Sequence, residues 1–232
     1  MIRAVIFDFN GVLVDDEHLH FALFRDLLAE RGVALDERAY YEEYVGFDDR
    51  GAFSEALRRA GQPVEEAELA AIIERKARMY LERAAAGLTY FPGASECVRS
   101  LAAQWPVAIN SGALRAEIEL AIDRMGVAGL ISAIVSAEDT DRSKPDPEGY
   151  LLALDALRAR WGEDLEAGHC VVIEDTAAGV EAAKSAGMWV VGILNTASET
   201  TLRHAGADVV RTSLVGVDPA WIRSLFAPEV SP

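Results

Sequence analysis

Two apolar segments of strand length each end in carboxylates, and this feature constrains the fold more than any other. The first runs from Ile2 to Phe7 and stops at Asp8, and the second covers residues 171–173 and stops at Glu174 and Asp175. Open α/β sheets place their ligands at the carboxyl ends of parallel strands. The two segments therefore predict that these carboxylates meet in one crevice. Carboxylates that repel each other there are usually bridged by a divalent cation with oxygen ligands, such as Mg2+.

After Asp15 the chain does not return to the sheet, because a long series of helical patterns follows with little strand signal. Apolar spacing and glycine stops predict four helices, at about 17–31, 36–45, 48–60 and 65–86. We expect these helices to form an inserted all-helical cap, residues 15–88, which buries a small core of its own and lies over the crevice.

Strands and helices alternate from residue 89 onward, which predicts a doubly wound, Rossmann-like parallel sheet built from residues 1–14 and 89–232. The predicted strands lie near residues 107–109, 130–135, 170–173, 189–193 and 208–210. The predicted helices lie near residues 94–104, 115–125, 148–160, 177–186, 199–205 and 219–226.

Composition limits the partners of the chain. The 232 residues carry a net charge of −16, which argues against a nucleic-acid surface and against adhesion to acidic membranes. An anionic substrate would need a local cationic pocket. The chain has only two cysteines, Cys97 and Cys170, and it shows no signal peptide and no apolar run long enough to span a membrane. We expect a soluble, cytoplasmic protein.

Four groups of polar residues fall at or just past predicted strand ends: Asp8 with Asn10, then Ser111, Lys144, and the pair Glu174 and Asp175. Taken singly, each has an ordinary structural explanation, such as a turn, a solvated lysine or a helix cap. Together they supply a carboxylate nucleophile, a hydroxyl donor, a fixed cation and metal ligands. Phosphoryl transfer requires this set, and an aspartate can form an aspartyl phosphate.

The motifs FDFNGVLVD, SKPDPEGY and VVIEDTAAGVEAAKSAGM make the whole chain resemble the haloacid dehalogenase-like (HAD) superfamily. The similarity is to the helical-cap branch that includes phosphoglycolate phosphatase-like and beta-phosphoglucomutase-like proteins. The resemblance implies that Asp8 is the nucleophile and a metal ligand, and that Ser111 and Lys144 bind phosphate. It also implies metal ligation by Asp175, support or ligation by Glu174, and ligation through the backbone carbonyl of residue 10.

Further substrate contacts are expected in the loops and in the cap. Gly11 permits a tight turn after the nucleophile, because glycine tolerates positive φ, and Gly112 follows Ser111 in the second loop. In the cap, Gly46 and Arg50 resemble a substrate-contact loop. Two more cap residues are candidates for substrate binding: Lys76, which resembles a lysine of sugar-phosphate members, and His20.

The sequence departs from the family pattern at Asn10, where the phosphatases and mutases have an aspartate. That second carboxyl protonates the leaving group in the family, and an amide has no proton to exchange in this range. Three explanations remain open. The asparagine is an engineered substitution, or it is native with slow turnover or with His20 or His18 taking the proton, or the protein binds a phosphorylated ligand without turning it over.

Two other classes of enzyme in the superfamily also lack that aspartate. Dehalogenases need no metal and would not be expected to keep the acidic pair Glu174 and Asp175. Phosphonoacetaldehyde hydrolases need a cap lysine for a Schiff base, and Lys76 is the only lysine of the cap. We therefore expect a Mg2+-dependent hydrolase of a small phosphomonoester, such as a sugar phosphate. A mutase-like phosphotransferase and a non-catalytic binding protein are the alternatives.

Overall fold

The computed structural model describes residues 1–45 and 47–225. Gly46, one of the two residues of the predicted substrate-contact loop, lies outside the described residues. Residue 226, the end of the last predicted helix, also lies outside them.

The predicted parallel sheet is confirmed. Six strands pair in parallel in the order β3-β2-β1-β4-β5-β6, so β1 lies at the centre between β2 and β4. Chain order reverses direction at β1, and such a switch point opens a crevice at the carboxyl ends of the strands. The strands are β1 (Ala4–Phe7), β2 (Val107–Asn110), β3 (Ile131–Val135), β4 (Cys170–Glu174), β5 (Trp189–Ile193) and β6 (Val209–Arg211).

Both faces of the sheet are buried, which explains why the central strands are continuous apolar runs. Successive side chains point to opposite faces, so Val5 and Phe7 enter one apolar cluster while Ala4 and Ile6 enter the other. The helices of this core are α5 (Ala94–Ala102), α6 (Arg115–Arg124), α7 (Glu148–Trp161), α8 (Ala177–Ser185), α9 (Glu199–His204) and α10 (Pro219–Leu225).

Four helices occupy the segment between β1 and α5, as the glycine stops and apolar spacing predict. They are α1 (Glu17–Ala29), α2 (Glu37–Glu43), α3 (Asp49–Arg59) and α4 (Glu66–Ala84). Their apolar faces meet in a separate cluster that contains Phe24, Tyr44, Phe53 and Leu57. Asp36 caps α2 by accepting bonds from two backbone N–H groups of its first turn.

The two chain crossings between the four helices and the sheet run side by side. Val14 forms an antiparallel bridge with Tyr90, and the N–H of Asp15 donates to the carbonyl of Thr89 at 2.9 Å. The N–H of Phe91 donates to Leu13 at 3.1 Å. Across the described ranges, the helices are too short or too polar to cross a membrane.

Candidate active site

The carboxyl ends of β1 and β4 bring Asp8 and Glu174 together, and Lys144 bridges them. Asp8 directly follows β1 and is only 7% exposed. The Nζ of Lys144 reaches it from the loop before α7, donating to Asp8 Oδ1 at 2.7 Å and to Glu174 Oε1 at 2.6 Å. Burial raises the pKa of Asp8 to about 7, although the charge of Lys144 opposes this shift.

Both carboxylate oxygens of Glu174 are already engaged. Oε1 accepts from Lys144 and from the hydroxyl of Tyr150 at 3.1 Å, and Oε2 accepts from the N–H groups of Asp175 and Thr176 at 2.8 and 2.9 Å. Burial alone would raise its pKa, but Lys144 and these donors hold it below the usual value. Glu174 therefore fixes the turn from β4 into α8 and anchors Lys144.

Asp175 is the opposite case, because both side-chain oxygens are buried and no described residue donates to them with normal hydrogen-bond geometry, although the Thr196 side chain is near enough to oppose the rise of the Asp175 pKa. Burial and the neighbouring charge of Glu174 raise its pKa well above the ordinary value. Ligand atoms of Asp8, Glu174 and Asp175 lie within 4.8 Å of one another. The two buried oxygens of Asp175, which lack such donors, lie close enough to Asp8 to fit a hard cation such as Mg2+.

Gly11 lies against this carboxylate cluster. A Cβ at this position would come within 2.0 Å of Asp175 Oδ2, and the backbone has a φ of +76°. The tight turn predicted after the nucleophile is therefore present, and glycine is required both for its conformation and for its lack of a side chain. The side-chain amide of Asn195 donates to the Gly11 carbonyl at 2.6 Å and holds the turn from the far side.

The side-chain amide of Asn10 faces the buried carboxylate of Asp16, the residue that precedes α1. Its Nδ2 lies 3.0 and 3.2 Å from the two oxygens of Asp16, which is 1% exposed. The hydroxyl of Tyr80 donates to Asp16 Oδ2 at 2.5 Å. Burial alone would raise the pKa of Asp16, but His20, Asn10 and Tyr80 together hold it below the usual value.

The cap candidates Lys76 and His20 enter the same pocket. Lys76 is 2% exposed, forms an ion pair with Asp49 and lies with its Nζ 2.8 Å from His20 Nδ1. Because an ammonium can only donate, His20 Nδ1 accepts and the ring proton belongs on Nε2. That Nε2 lies 3.2 Å from Asn10 Nδ2 and 3.4 Å from Asp16 Oδ2.

Ser111 and Gly112 follow β2 as predicted. Ser111 is 6% exposed, and its Oγ lies 3.5 Å from Asn10 Oδ1 while accepting from the N–H of Ala113 at 3.1 Å. Gly112 lines the pocket together with Lys144 and Asp175. The structure thus brings Asp8, Asn10, Gly11, Ser111, Gly112, Lys144, Glu174, Asp175, Lys76 and His20 to one region.

Arg50 does not join this region. It is exposed and forms an ion pair with Glu66, and it is absent from the residues lining the pocket. His18 is exposed as well, whereas His20 lines the pocket. Of the two histidines considered beside Asn10, only His20 is near it.

Sequence reasoning missed Asp16, Tyr80, Tyr150 and Glu117. Tyr150 lies inside the quoted SKPDPEGY motif and could have been included with Lys144. Glu117 lies in the first turn of α6, just past Ser111, and is 1% exposed. A glutamate in that position of a helix usually caps the N-terminus at the surface, so the sequence carries no sign that this one is buried.

The parallel sheet, the aspartate after its first strand, the lysine bound to it and the four inserted helices make this an α/β protein with a buried ionisable site at the strand ends. A family model described as haloacid dehalogenase-like hydrolase matches residues 2–187. The chain therefore belongs to the haloacid dehalogenase-like hydrolases, and its phosphatase relatives identify it as an enzyme of the phosphatase type.

Three proteins of known name are similar to this chain in sequence or structure. It is 31% identical to validoxylamine A 7'-phosphate phosphatase of Streptomyces hygroscopicus subsp. limoneus, over 94% of this chain and 96% of that protein. It is 32% identical to the phosphonoacetaldehyde hydrolase of Bordetella avium, over 83% and 71%. The crystal structure of beta-phosphoglucomutase from Clostridium difficile superposes with a TM-score of 0.84 at 23% identity, covering 97% of each chain.

Proposed function

We propose that this protein is a Mg2+-dependent hydrolase of a small phosphomonoester and that Asp8 is its nucleophile. One observation carries the proposal. Lys144 Nζ lies between Asp8 and Glu174, at 2.7 and 2.6 Å, and ligand atoms of these two carboxylates lie within 4.8 Å of the Asp175 carboxylate, whose oxygens are buried. An anionic phosphate entering here meets a fixed cation, a nucleophilic oxygen and carboxylates suited to a metal.

The reaction follows from these positions. A carboxylate oxygen of Asp8 attacks phosphorus in line, forming an aspartyl phosphate as the bond to the substrate's alcohol oxygen breaks and that oxygen takes a proton from solvent. Water then attacks phosphorus, which releases inorganic phosphate and regenerates the carboxylate. Lys144 and Ser111 hold the phosphate oxygens and spread their charge.

Asp8, Asp175 and the backbone carbonyl of Asn10 would hold the Mg2+, and the bound ion supplies charge neutralisation at the phosphate. Glu174 is assigned the supporting role, because its oxygens are already engaged with Lys144, Tyr150 and the turn into α8. The proposal thus separates two carboxylates that the sequence treats as a pair.

Asn10 sets the rate of the proposed reaction. Its amide cannot protonate the leaving alcohol, and loss of such acid–base catalysis typically costs about 100- to 10,000-fold. Because the amide is matched by the buried acceptor Asp16, we infer that the asparagine is native to this site. Substrates with good leaving groups are then expected to suffer least from its presence.

The Schiff-base chemistry of phosphonoacetaldehyde hydrolases fits this pocket poorly, even though one such enzyme is a relative. Lys76 does line the pocket, but a Schiff base requires a neutral amine. Burial would lower the pKa of Lys76, yet Asp49 and Glu117 outweigh it and raise the pKa above the usual value. The side chain is held as an ammonium.

With Cys97 and Cys170 both free and buried, a cytoplasmic location remains part of the proposal.

Turnover of a phosphomonoester panel with Mg2+ tests the proposal, with p-nitrophenyl phosphate included for its good leaving group. The Asp8→Ala variant is expected to lose about 1,000-fold or more of kcat/KM. The Asp175→Asn variant is expected to bind Mg2+ more weakly by calorimetry, while Asp123→Asn, an exposed aspartate of α6, serves as the matched control.

Two results would overturn the proposal. Turnover that survives Asp8→Ala would place the nucleophile elsewhere. A protein that binds Mg2+ and vanadate but hydrolyses no member of the panel would be a binding protein for a phosphorylated metabolite.

A further inference from the structure

The pocket above the strand ends has a part that faces the cap and carries carboxylates that none of the roles above uses. It is lined by Glu17, Asp49 and Lys76 from the cap and by Glu117 from α6 of the core. Aromatic side chains of α1 and α2, including Phe24 and Tyr40, complete the wall. We call this region, defined by Glu17, Asp49, Lys76 and Glu117, the distal subsite.

Glu117 is the unusual residue of the distal subsite. It is 1% exposed, and its Oε1 is buried with no hydrogen-bond partner in the described part of the chain. Burial raises the pKa of this carboxyl, although Lys76 and His20 oppose the shift. A buried acceptor without a donor destabilises the fold, so a carboxylate in this position is suited to a donor that arrives with a ligand.

The cations near the distal subsite are already neutralised. Lys76 is paired with Asp49, and the lysine also lies against His20 Nδ1. Glu17 is held by the hydroxyl of Tyr40 at 2.5 Å, so its second oxygen remains an acceptor. The subsite therefore presents three carboxylates against one paired lysine, and the neighbouring His20 lies between that lysine and Asp16.

The two arginines that flank the subsite in sequence point away from it. Arg50 is bound to Glu66 on the surface. Arg115, at the start of α6, donates to Asp139 at 2.5 Å and to the carbonyl of Ile134 at 3.1 Å. Neither residue lines the pocket. A second phosphate of a substrate would enter a region of acceptors with no free guanidinium to meet it.

We propose that the distal subsite recognises hydrogen-bond donors of the leaving group, with Glu117 as the central acceptor, and that it rejects a second anionic group. The substrates are accordingly monophosphates of polyhydroxylated compounds, and an ammonium group at the distal end improves them. This inference rests on the proposed phosphomonoester hydrolysis. It also distinguishes this chain from an enzyme whose substrate carries a phosphate at each end, because the second phosphate would lie among these carboxylates.

Matched pairs of substrates test the inference with purified protein and Mg2+. Fructose 6-phosphate is compared with fructose 1,6-bisphosphate, and glucosamine 6-phosphate with glucose 6-phosphate. We expect kcat/KM to be at least about tenfold higher for the monophosphate of the first pair, and higher for the amine of the second pair.

Three variants separate the subsite from general effects of charge. Glu117→Gln keeps the shape and one acceptor oxygen but removes the charge, and it is expected to lower the amine-to-hydroxyl ratio by about tenfold. Asp49→Asn frees Lys76 and is expected to raise the bisphosphate-to-monophosphate ratio by a similar factor. Glu119→Gln makes the same change of charge on the exposed face of α6 and is expected to leave both ratios unchanged.

The outcomes distinguish the two proposals. If the unaltered protein hydrolyses no phosphate ester, p-nitrophenyl phosphate included, then the proposed function fails and the inference fails with it. If it hydrolyses the panel but accepts the bisphosphate as well as the monophosphate, the inference alone is wrong. The same conclusion follows if Glu117→Gln changes the amine-to-hydroxyl ratio no more than Glu119→Gln does.

Discussion

The replacement of one carboxylate by an amide at residue 10 is compensated by its neighbours. Asn10 Nδ2 donates to both oxygens of Asp16, which also receives the hydroxyl of Tyr80. A carboxylate at position 10 would instead lie about 3 Å from a second buried carboxylate. Like charges at that separation destabilise each other strongly in a pocket of low dielectric.

We expect the Asn10→Asp variant to be less stable than the natural sequence by about 1–3 kcal/mol at pH 8, measured by urea unfolding. Exchanging the two residues in Asn10→Asp/Asp16→Asn restores one amide donor between the positions. The double variant is therefore expected to recover at least about 1 kcal/mol relative to the sum of the single changes.

Enzyme activity gives a second measurement on the same single and double variants. The exchanged double variant has a carboxyl group two residues after Asp8, and acid–base catalysis at that position is expected to raise kcat by about 100-fold or more. If the stability effects of the two substitutions simply add, the two side chains do not interact and the inference that Asn10 is native loses its basis.

Sequence alone located most single residues of the site because they follow strand ends. Asp8 and Glu174 occupy the first polar position after an apolar run and Ser111 the second, and parallel strands bring such positions together. The partners of Asn10 could not be found in this way. Tyr80 reaches Asp16 from 64 residues away, through the packing of α4 on α1, and no periodicity encodes that contact.

At the scale of elements, the junction between β4 and α8 is built around the buried side chain of Glu174. Thr176 caps α8 by accepting from the N–H of Gly179 and also donates its hydroxyl to Glu174 Oε2 at 3.0 Å. Gly179 lies in the first turn of the helix directly over this carboxylate. A Cβ there would be 1.6 Å from Glu174 Oε1.

This contact reverses the usual effect of a glycine-to-alanine substitution. Alanine is normally favoured over glycine inside a helix by about 1 kcal/mol. We expect Gly179→Ala to destabilise the fold by about 1–3 kcal/mol instead, since Glu174 must move and release Lys144. Thermal unfolding and kcat/KM for p-nitrophenyl phosphate measure the two consequences.

Gly129→Ala is the control, because a Cβ at that position meets no atom within 4 Å. A Gly179→Ala protein as stable and as active as the Gly129→Ala protein would show that the Glu174 carboxylate is free to move, contrary to its assigned anchoring role.

Elements were more predictable than their contacts. The order of helices and strands followed from apolar periodicity and from glycine and proline positions, and the structure places each within a few residues of its expected range. The sequence indicates that helices α1 to α4 form an insertion. It does not indicate how these helices are oriented against the sheet. The placement of Lys76 against Asp49 and of Arg50 against Glu66 depends on how α3 packs against α4, which is a tertiary property.

At the scale of the whole molecule, the cap and the core meet at Asp48, which precedes α3. Its Oδ1 accepts from the N–H of Gly51 and caps the helix, while its Oδ2 accepts from the hydroxyl of Ser143 at 2.5 Å. Ser143 directly precedes Lys144, and the Asp48 backbone also packs against Gly112 of the phosphate loop. Asp48 therefore touches both loops beside Asp8, while a second contact joins Arg124 of α6 to the carbonyls of Ala84 and Ala85.

Ser143→Ala removes the hydroxyl that donates to Asp48 and leaves the bond from the Gly51 N–H, which caps the N-terminus of α3, intact. A hydrogen bond of this kind contributes about 0.5–1.5 kcal/mol, so we expect closure to weaken by about two- to tenfold. The KM for p-nitrophenyl phosphate is expected to rise by that factor, because closure brings the cap onto the bound substrate. Backbone amides of residues 111–113 are expected to exchange with deuterium faster in the variant.

Ser185→Ala, an exposed serine of α8, is the matched control. Unchanged exchange at 111–113 in Ser143→Ala would show that the cap is held closed by its apolar contacts with the core and not by Asp48.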